Sequence, residues 1–128
     1  MTAVRHRFSV LTAVACASAL TAACATPAAT RDITLIAKGM TFILPADPAT
    51  ANPVIQLRAG ERIRLVLRNE APGLLHDVAI PDLGVEVPQI RAGESAEVTF
   101  TVPSTPGKHE YRCRPHGELM KGVVEVTP

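Results

Sequence analysis

Tyr111-Arg112-Cys113-Arg114-Pro115-His116-Gly117-Glu118-Leu119-Met120 puts a thiol, an imidazole and a thioether on one short loop. Soft thiolate and thioether ligands suit copper, and imidazole serves the same metal. Two histidines, one cysteine and a long axial methionine compose an electron-transfer copper site. Only the second histidine is missing from the run. Upstream, His76 stands in Leu74-Leu75-His76-Asp77-Val78, at the head of an apolar alternation. His76, Cys113, His116 and Met120 are therefore candidate ligands of a single ion. Each also has an ordinary reading. Free cysteine is commonly a small buried hydrophobe, His116 alone reads as a loop-surface residue, His76 alone as a hydrogen-bonded core histidine, and Met120 as a core filler. Glu118 competes with Met120 for the axial place and would make a harder site. Zinc also accepts Cys and His, but its structural sites want four firm N or S ligands.

Working outward from the loop, the pattern is one of strands. Ile63, Leu65 and Leu67 alternate with Arg62, Arg64 and Arg68; Ala96, Val98, Phe100 and Val102 alternate with Glu97, Thr99 and Thr101. This is the period of half-buried strands. Further strands are expected at Ile33–Ala37, Thr41–Leu44, Val54–Leu57, His76–Ile80, Gly107–Cys113 and Gly122–Val126. Eleven prolines and eight glycines punctuate the chain, and no long helical period survives between them. Short strands with turn signals between them imply an all-β fold, a Greek-key β-sandwich or barrel of about 7–8 strands. The tetrapeptide Arg-Ala-Gly-Glu occurs at residues 58–61 and 91–94, each time before a strong strand. Two similar turns are expected there, with glycine supplying a positive φ.

Residues two apart on a strand share a face. His76, Val78 and Ile80 therefore point together into the core, with Asp77 on the other side. Tyr111 and Cys113 share a face, and Arg112 looks away. The C-x2-H-x3-M spacing lets His116 and Met120 curl back toward Cys113, and Pro115 stiffens the turn. His109 has the parity of Cys113 but lies about 13 Å along the strand, too far to share an ion with it. A hydrogen-bonded histidine at the edge of the core is expected there.

The N-terminal stretch reads differently. Arg5, His6 and Arg7 form a basic head, and residues 8–30 carry no charge and are rich in Ala, Thr, Ser and Val. This is a secretory signal pattern, assigned to residues 1–25. Two cleavage readings stand. Leu20-Thr21-Ala22-Ala23-Cys24 resembles a bacterial lipoprotein signal, with Cys24 lipidated, although Thr21 replaces the usual Leu. Ala23-Cys24-Ala25 resembles an ordinary A-x-A site. An uncleaved anchor is a third reading, disfavoured because the run is only weakly apolar. A tether follows over residues 26–31, then one domain over 32–128. Without Arg5 and Arg7 the chain holds 11 basic residues against 12 acidic ones, a formal charge of −1, and nothing there points to nucleic acid. Cys16 and Cys24 lie in the signal, so Cys113 has no cysteine to pair with in the domain, and a metal ligand is one explanation for it.

With these residues in view the chain resembles the cupredoxins, the small blue-copper fold of plastocyanin, pseudoazurin and amicyanin. Val54–Glu61 followed by Arg62–Asn69 resembles the family's glycine turn and next strand. Leu75-His76-Asp77-Val78 resembles its first-histidine segment, and Pro106–Cys113 the strand that delivers the cysteine. The resemblance implies His76, Cys113 and His116 as equatorial ligands and Met120 as the axial one. The loop departs slightly: plastocyanin-like loops usually have one more residue before the methionine, and amicyanin-like loops one fewer.

The function implied is electron transfer by one copper ion cycling between Cu(I) and Cu(II). The alternative is a periplasmic copper carrier or buffer, for delivery or resistance, using the same ligands. An enzyme is not expected: a copper oxidase or nitrite reductase needs more histidines than the three outside the signal, and a binuclear centre needs a second loop cysteine. The expected setting is the periplasm or the membrane surface facing it, through Cys24 if lipidated. The expected state is a monomer, and the expected partner a redox protein. Arg112, Arg114, Lys108 and Lys121 offer either an ordinary solvated face or a basic rim that docks an acidic partner.

Overall fold

The computed structural model describes residues 28–128. The expected signal segment, with Cys24, lies outside the described residues, as do residues 26 and 27 of the expected tether. The described chain forms nine strands, one more than the upper expectation: β1 Thr30–Lys38, β2 Thr41–Ile43, β3 Ile55–Arg58, β4 Arg62–Asn69, β5 His76–Ile80, β6 Val85–Ile90, β7 Ser95–Thr101, β8 Gly107–Arg112 and β9 Lys121–Thr127. They build two sheets, in the orders β2-β1-β4-β7 and β3-β9-β8-β5-β6. β1 begins inside the expected tether, because Thr30 and Arg31 pair in parallel with Arg62 and Ile63 of β4. The Arg31 side chain also donates to a Glu61 carboxylate oxygen at 2.9 Å and to the Gln56 carbonyl at 2.8 Å.

The extra strand is β6. Sequence reading assigns no strand there, and the run contains Pro88. β6 lies at the edge of its sheet, where a missing N–H costs no ladder bond. His76 opposes Ile90 and Val78 opposes Val87, so β6 carries one extra residue across that step, a bulge beside the head of β5.

The alternation in β4 works as expected: Ile63, Leu65 and Leu67 are buried, and Arg62 and Arg68 are exposed. They meet Leu35, Phe42, Leu57, Val78, Val87, Val124 and Tyr111 between the sheets. The two Arg-Ala-Gly-Glu turns share one construction. Gly60 and Gly93 have φ of 77° and 84°. The Glu61 and Glu94 amides each donate 3.1 Å back to the carbonyl of Arg58 and Arg91. Each glutamate side chain then accepts from the amide of the same arginine, at 3.1 Å and 2.7 Å.

Tyr111 is the largest of the fully buried side chains. Its ring lies 5.7 Å from that of Phe42, and its hydroxyl donates 2.7 Å to the Pro53 carbonyl. Gly122 sits opposite it on β9, and a Cβ there would fall 2.4 Å from the ring and hydroxyl. Gly122→Ala should therefore push the ring off its bond and cost about 1–3 kcal/mol, the usual penalty of overpacking. A denaturant titration checks this, and an unchanged midpoint would mean the ring moves aside freely.

Candidate metal centre

Strands β5 and β8 are antiparallel neighbours, with Ala79 opposite Arg112. Continuing that register brings Val78 level with Cys113 and Asp77 level with Arg114. His76 heads β5 and Cys113 follows β8, so both reach the same end of the sandwich. The Cys113 Sγ lies 3.6 Å from His76 Nδ1 and 3.5 Å from His116 Nδ1. The two imidazole centroids are 5.0 Å apart and tilted by 58°. Ligand atoms of His76, Cys113 and His116 all lie within 4.8 Å of one another, and they are the one such group among the described residues.

The loop after β8 is closed on itself. The Cys113 amide donates 2.9 Å to the Met120 carbonyl, and the Met120 amide donates 2.9 Å to the His116 carbonyl. The His116 amide donates 3.2 Å to the Cys113 carbonyl. Met120 is fully buried in the same apolar cluster as Cys113. Glu118, the competing axial candidate, points away: its side chain is 97% exposed and faces Lys121 Nζ at 3.7 Å. His109 lies outside the group, with Nδ1 3.3 Å from an Asp82 oxygen, as expected of an edge histidine.

Two asparagines, which sequence reading does not single out, pin the segments that carry the ligands. Asn69 is buried and donates to the Leu74 and Ile90 carbonyls at 2.8 Å and 3.1 Å, while its side-chain oxygen accepts from the Ala71 amide at 3.0 Å. It thereby ties the approach to His76 onto the end of β6. Asn52, at φ 48°, accepts from the Phe42 amide at 2.9 Å and donates 2.9 Å to the Leu119 carbonyl in the ligand loop. The residue after each strand ligand also takes part. Asp77 is buried on the outer face of β5, where Arg114 covers it.

The donor set fits one metal ion. Nitrogen and sulfur bond a first-row ion such as zinc at about 2.0–2.3 Å, and two such donors at a trigonal angle lie about 3.5 Å apart, close to the observed spacing. His76 and Cys113 are shut away from water, and His76 turns its Nδ1 toward the sulfur. Burial, and next the charge of His116, push His76 toward the neutral ring; the nearby Gly39 backbone and Asp77 oppose this without reversing it. Burial pushes the Cys113 thiol above its ordinary range, while the backbone N–H groups of Asp77 and His116 favour the thiolate. Both shifts favour the uncharged form of the side chain. His76, Cys113 and His116 are positioned as a single copper site.

Cys113 binds a metal as thiolate and must shed its proton to do so. With the thiol raised, affinity should climb about tenfold per pH unit between about pH 6 and 8, still below that pKa. Competition titrations with a chelator across that range check the slope. A flat profile would show that the thiolate already exists in the metal-free chain.

Comparison with known proteins gives the same picture. A family described as cupredoxin-like domain matches residues 10–126. No curated protein matches the chain. Among solved structures, auracyanin A, a blue copper protein from Chloroflexus aurantiacus, is similar at TM-score 0.60 and 19% identity, covering 77% of this chain and 100% of its own. Auracyanin from Roseiflexus castenholzii is similar at 0.61 and 19%, covering 79% and 99%. The copper-containing nitrite reductase of Thermus scotoductus shares the fold at 0.58 and 21%, over 78% of this chain but 28% of the enzyme.

Proposed function

This chain belongs to the cupredoxin-like family, and from that premise we propose that it is a one-copper electron-transfer protein rather than an enzyme. The observation that carries the reading is the convergence of a buried thiol and two imidazole nitrogens in which only His116 reaches solvent. Copper supplies a one-electron couple between Cu(I) and Cu(II). His76 and His116 would hold it through nitrogen, Cys113 through its thiolate, and Met120 through its thioether. The chain's own contribution is rigidity. His76 enters from a strand, Cys113 and Met120 close the loop by a backbone bond, and Asn52 and Asn69 fix both approaches. A site held this way changes little when its charge changes by one. It also suits an ion that stays in place better than one handed on, which favours electron transfer over copper delivery.

Residues 1–25 act in this reading as an export signal that leaves the domain in the periplasm, tethered through a lipidated Cys24 or free. Among the described residues no helix is long and apolar enough to cross a membrane. The partner is a redox protein that meets the monomer at His116. The expected basic rim is tempered by the structure, because Arg112, Lys121 and Lys108 stand 3.5–3.7 Å from Glu110, Glu118 and Glu125. Arg114 is committed to Asp77 and Glu86. Leu119, beside His116 in the loop, is 63% exposed and supplies an apolar contact instead.

Added Cu(II) should give an intense thiolate-to-copper charge-transfer band, and Cys113→Ser should abolish it. A band that survives the change removes Cys113 from the site. Met120→Leu should keep the colour but shift the reduction potential, because a long axial bond tunes more than it anchors. Glu118→Gln should alter neither, and voltammetry of the two variants separates the axial candidates.

Docking can be tested apart from the ligands. Leu119→Glu should slow electron exchange with a small redox protein, and Lys121→Glu should do so less, since paired rim charges contribute about 0–1 kcal/mol. Stopped-flow rates at low and high salt decide this. A dominant, salt-sensitive Lys121 effect would restore the basic-rim reading.

A further inference from the structure

Asp77 follows His76, and Arg114 follows Cys113. The Arg114 amide donates 2.8 Å to Asp77 Oδ1, and the Arg114 Nε donates 2.8 Å to Oδ2. One residue of the ligand loop thus satisfies both oxygens of a carboxylate whose side chain is 3% exposed. The far end of the guanidinium reaches Glu86 of β6 at 3.3 Å. The contact therefore joins the first-histidine strand, the ligand loop and the edge strand. A buried carboxylate is costly unless paired and hydrogen-bonded, so the chain cannot part these segments without stranding a charge.

We propose that Asp77 and Arg114 form a charged clamp that positions the His76 and Cys113 segments against each other and balances the charge felt by the metal. The proposal rests on the copper reading above for its second half only. The geometry bears on the first half directly, since the chain's own groups complete the clamp. For the second half, each charged residue directly follows a ligand, Asp77 after His76 and Arg114 after Cys113, so both charges stand one residue from the ion's donors. The pair is locally neutral. An extra negative charge beside the ion favours Cu(II), and one fewer favours Cu(I). A purely structural strut would not produce shifts of opposite sign.

The test uses the full chain and four variants. Asp77→Asn should raise the reduction potential, Arg114→Gln should lower it, and the double variant should return toward wild type. Arg114→Lys keeps the charge but loses the planar fork, so its potential should stay near wild type. In the metal-free proteins, the rate at which Cys113 reacts with an aromatic disulfide reports whether the loop is held shut. That rate should rise roughly tenfold in Arg114→Gln and in Arg114→Lys, as protection by local packing is lost. Potentials that move in the same direction, or not at all, overturn the charge role. Wild-type thiol rates in both Arg114 variants overturn the clamp. If wild type takes no copper and shows no colour, the copper reading fails, and the thiol rates alone still judge the clamp.

Discussion

The structure turns on one antiparallel pairing, that of β5 with β8. It brings together two segments 37 residues apart and sets a buried sulfur between two imidazole nitrogens. Polar groups in such a place are costly unless something satisfies them. The thiol stands between the Nδ1 atoms of His76 and His116, at 3.6 Å and 3.5 Å. The fold tolerates the cost because the apolar work is done elsewhere, in the two-sheet core around Leu35, Phe42, Leu67 and Tyr111. The metal centre is an end feature on a sandwich that buries its own core.

Around that pairing the chain arranges supports of different strength. Backbone bonds close the ligand loop and keep Met120 level with Cys113. Asparagine side chains, each bonding more than one backbone group, fix the two approaches. The ion pair of Asp77 with Arg114 is the one support that carries net charges, and it joins a buried carboxylate to a half-exposed guanidinium. An ion pair of this kind is weak evidence for stability in itself. Its interest lies in where it stands, one residue past each of two ligands.

Ion pairs on the outer faces play a smaller part. Arg64 sits between Asp32 and Glu97 across three adjacent strands of the first sheet. Both glutamates that close the Arg-Ala-Gly-Glu turns do so through the arginine backbone, so the repeat encodes turn geometry and not a binding motif. At the ligand end, near-complete pairing of the surface cations leaves His116 and Leu119 as the distinctive features.

Much of this was legible in the residues alone. Alternation marked β4, β5 and β8 and their inward faces, because period two is a local property that burial of one face enforces. The clustering of Cys113, His116 and Met120 was legible because ligand chemistry within ten residues needs no long-range information. His76 could be joined to them only through parity and resemblance. β6 was hidden, since its proline is acceptable only at a sheet edge, and edges are decided by pairing. The tether reading of Thr30 and Arg31 failed for the same reason: nothing local to them announces a parallel partner in β4. Asp77 and Arg114 read as an outward carboxylate and a rim cation. Their pairing, which buries Asp77 under Arg114, comes from a register between strands far apart in the chain, and register is a property of the assembled sheet. The residue types determined which chemistry this protein can hold. The pairing of β5 with β8 decided where it is held, because only the packed sheets bring the donors within reach of one ion.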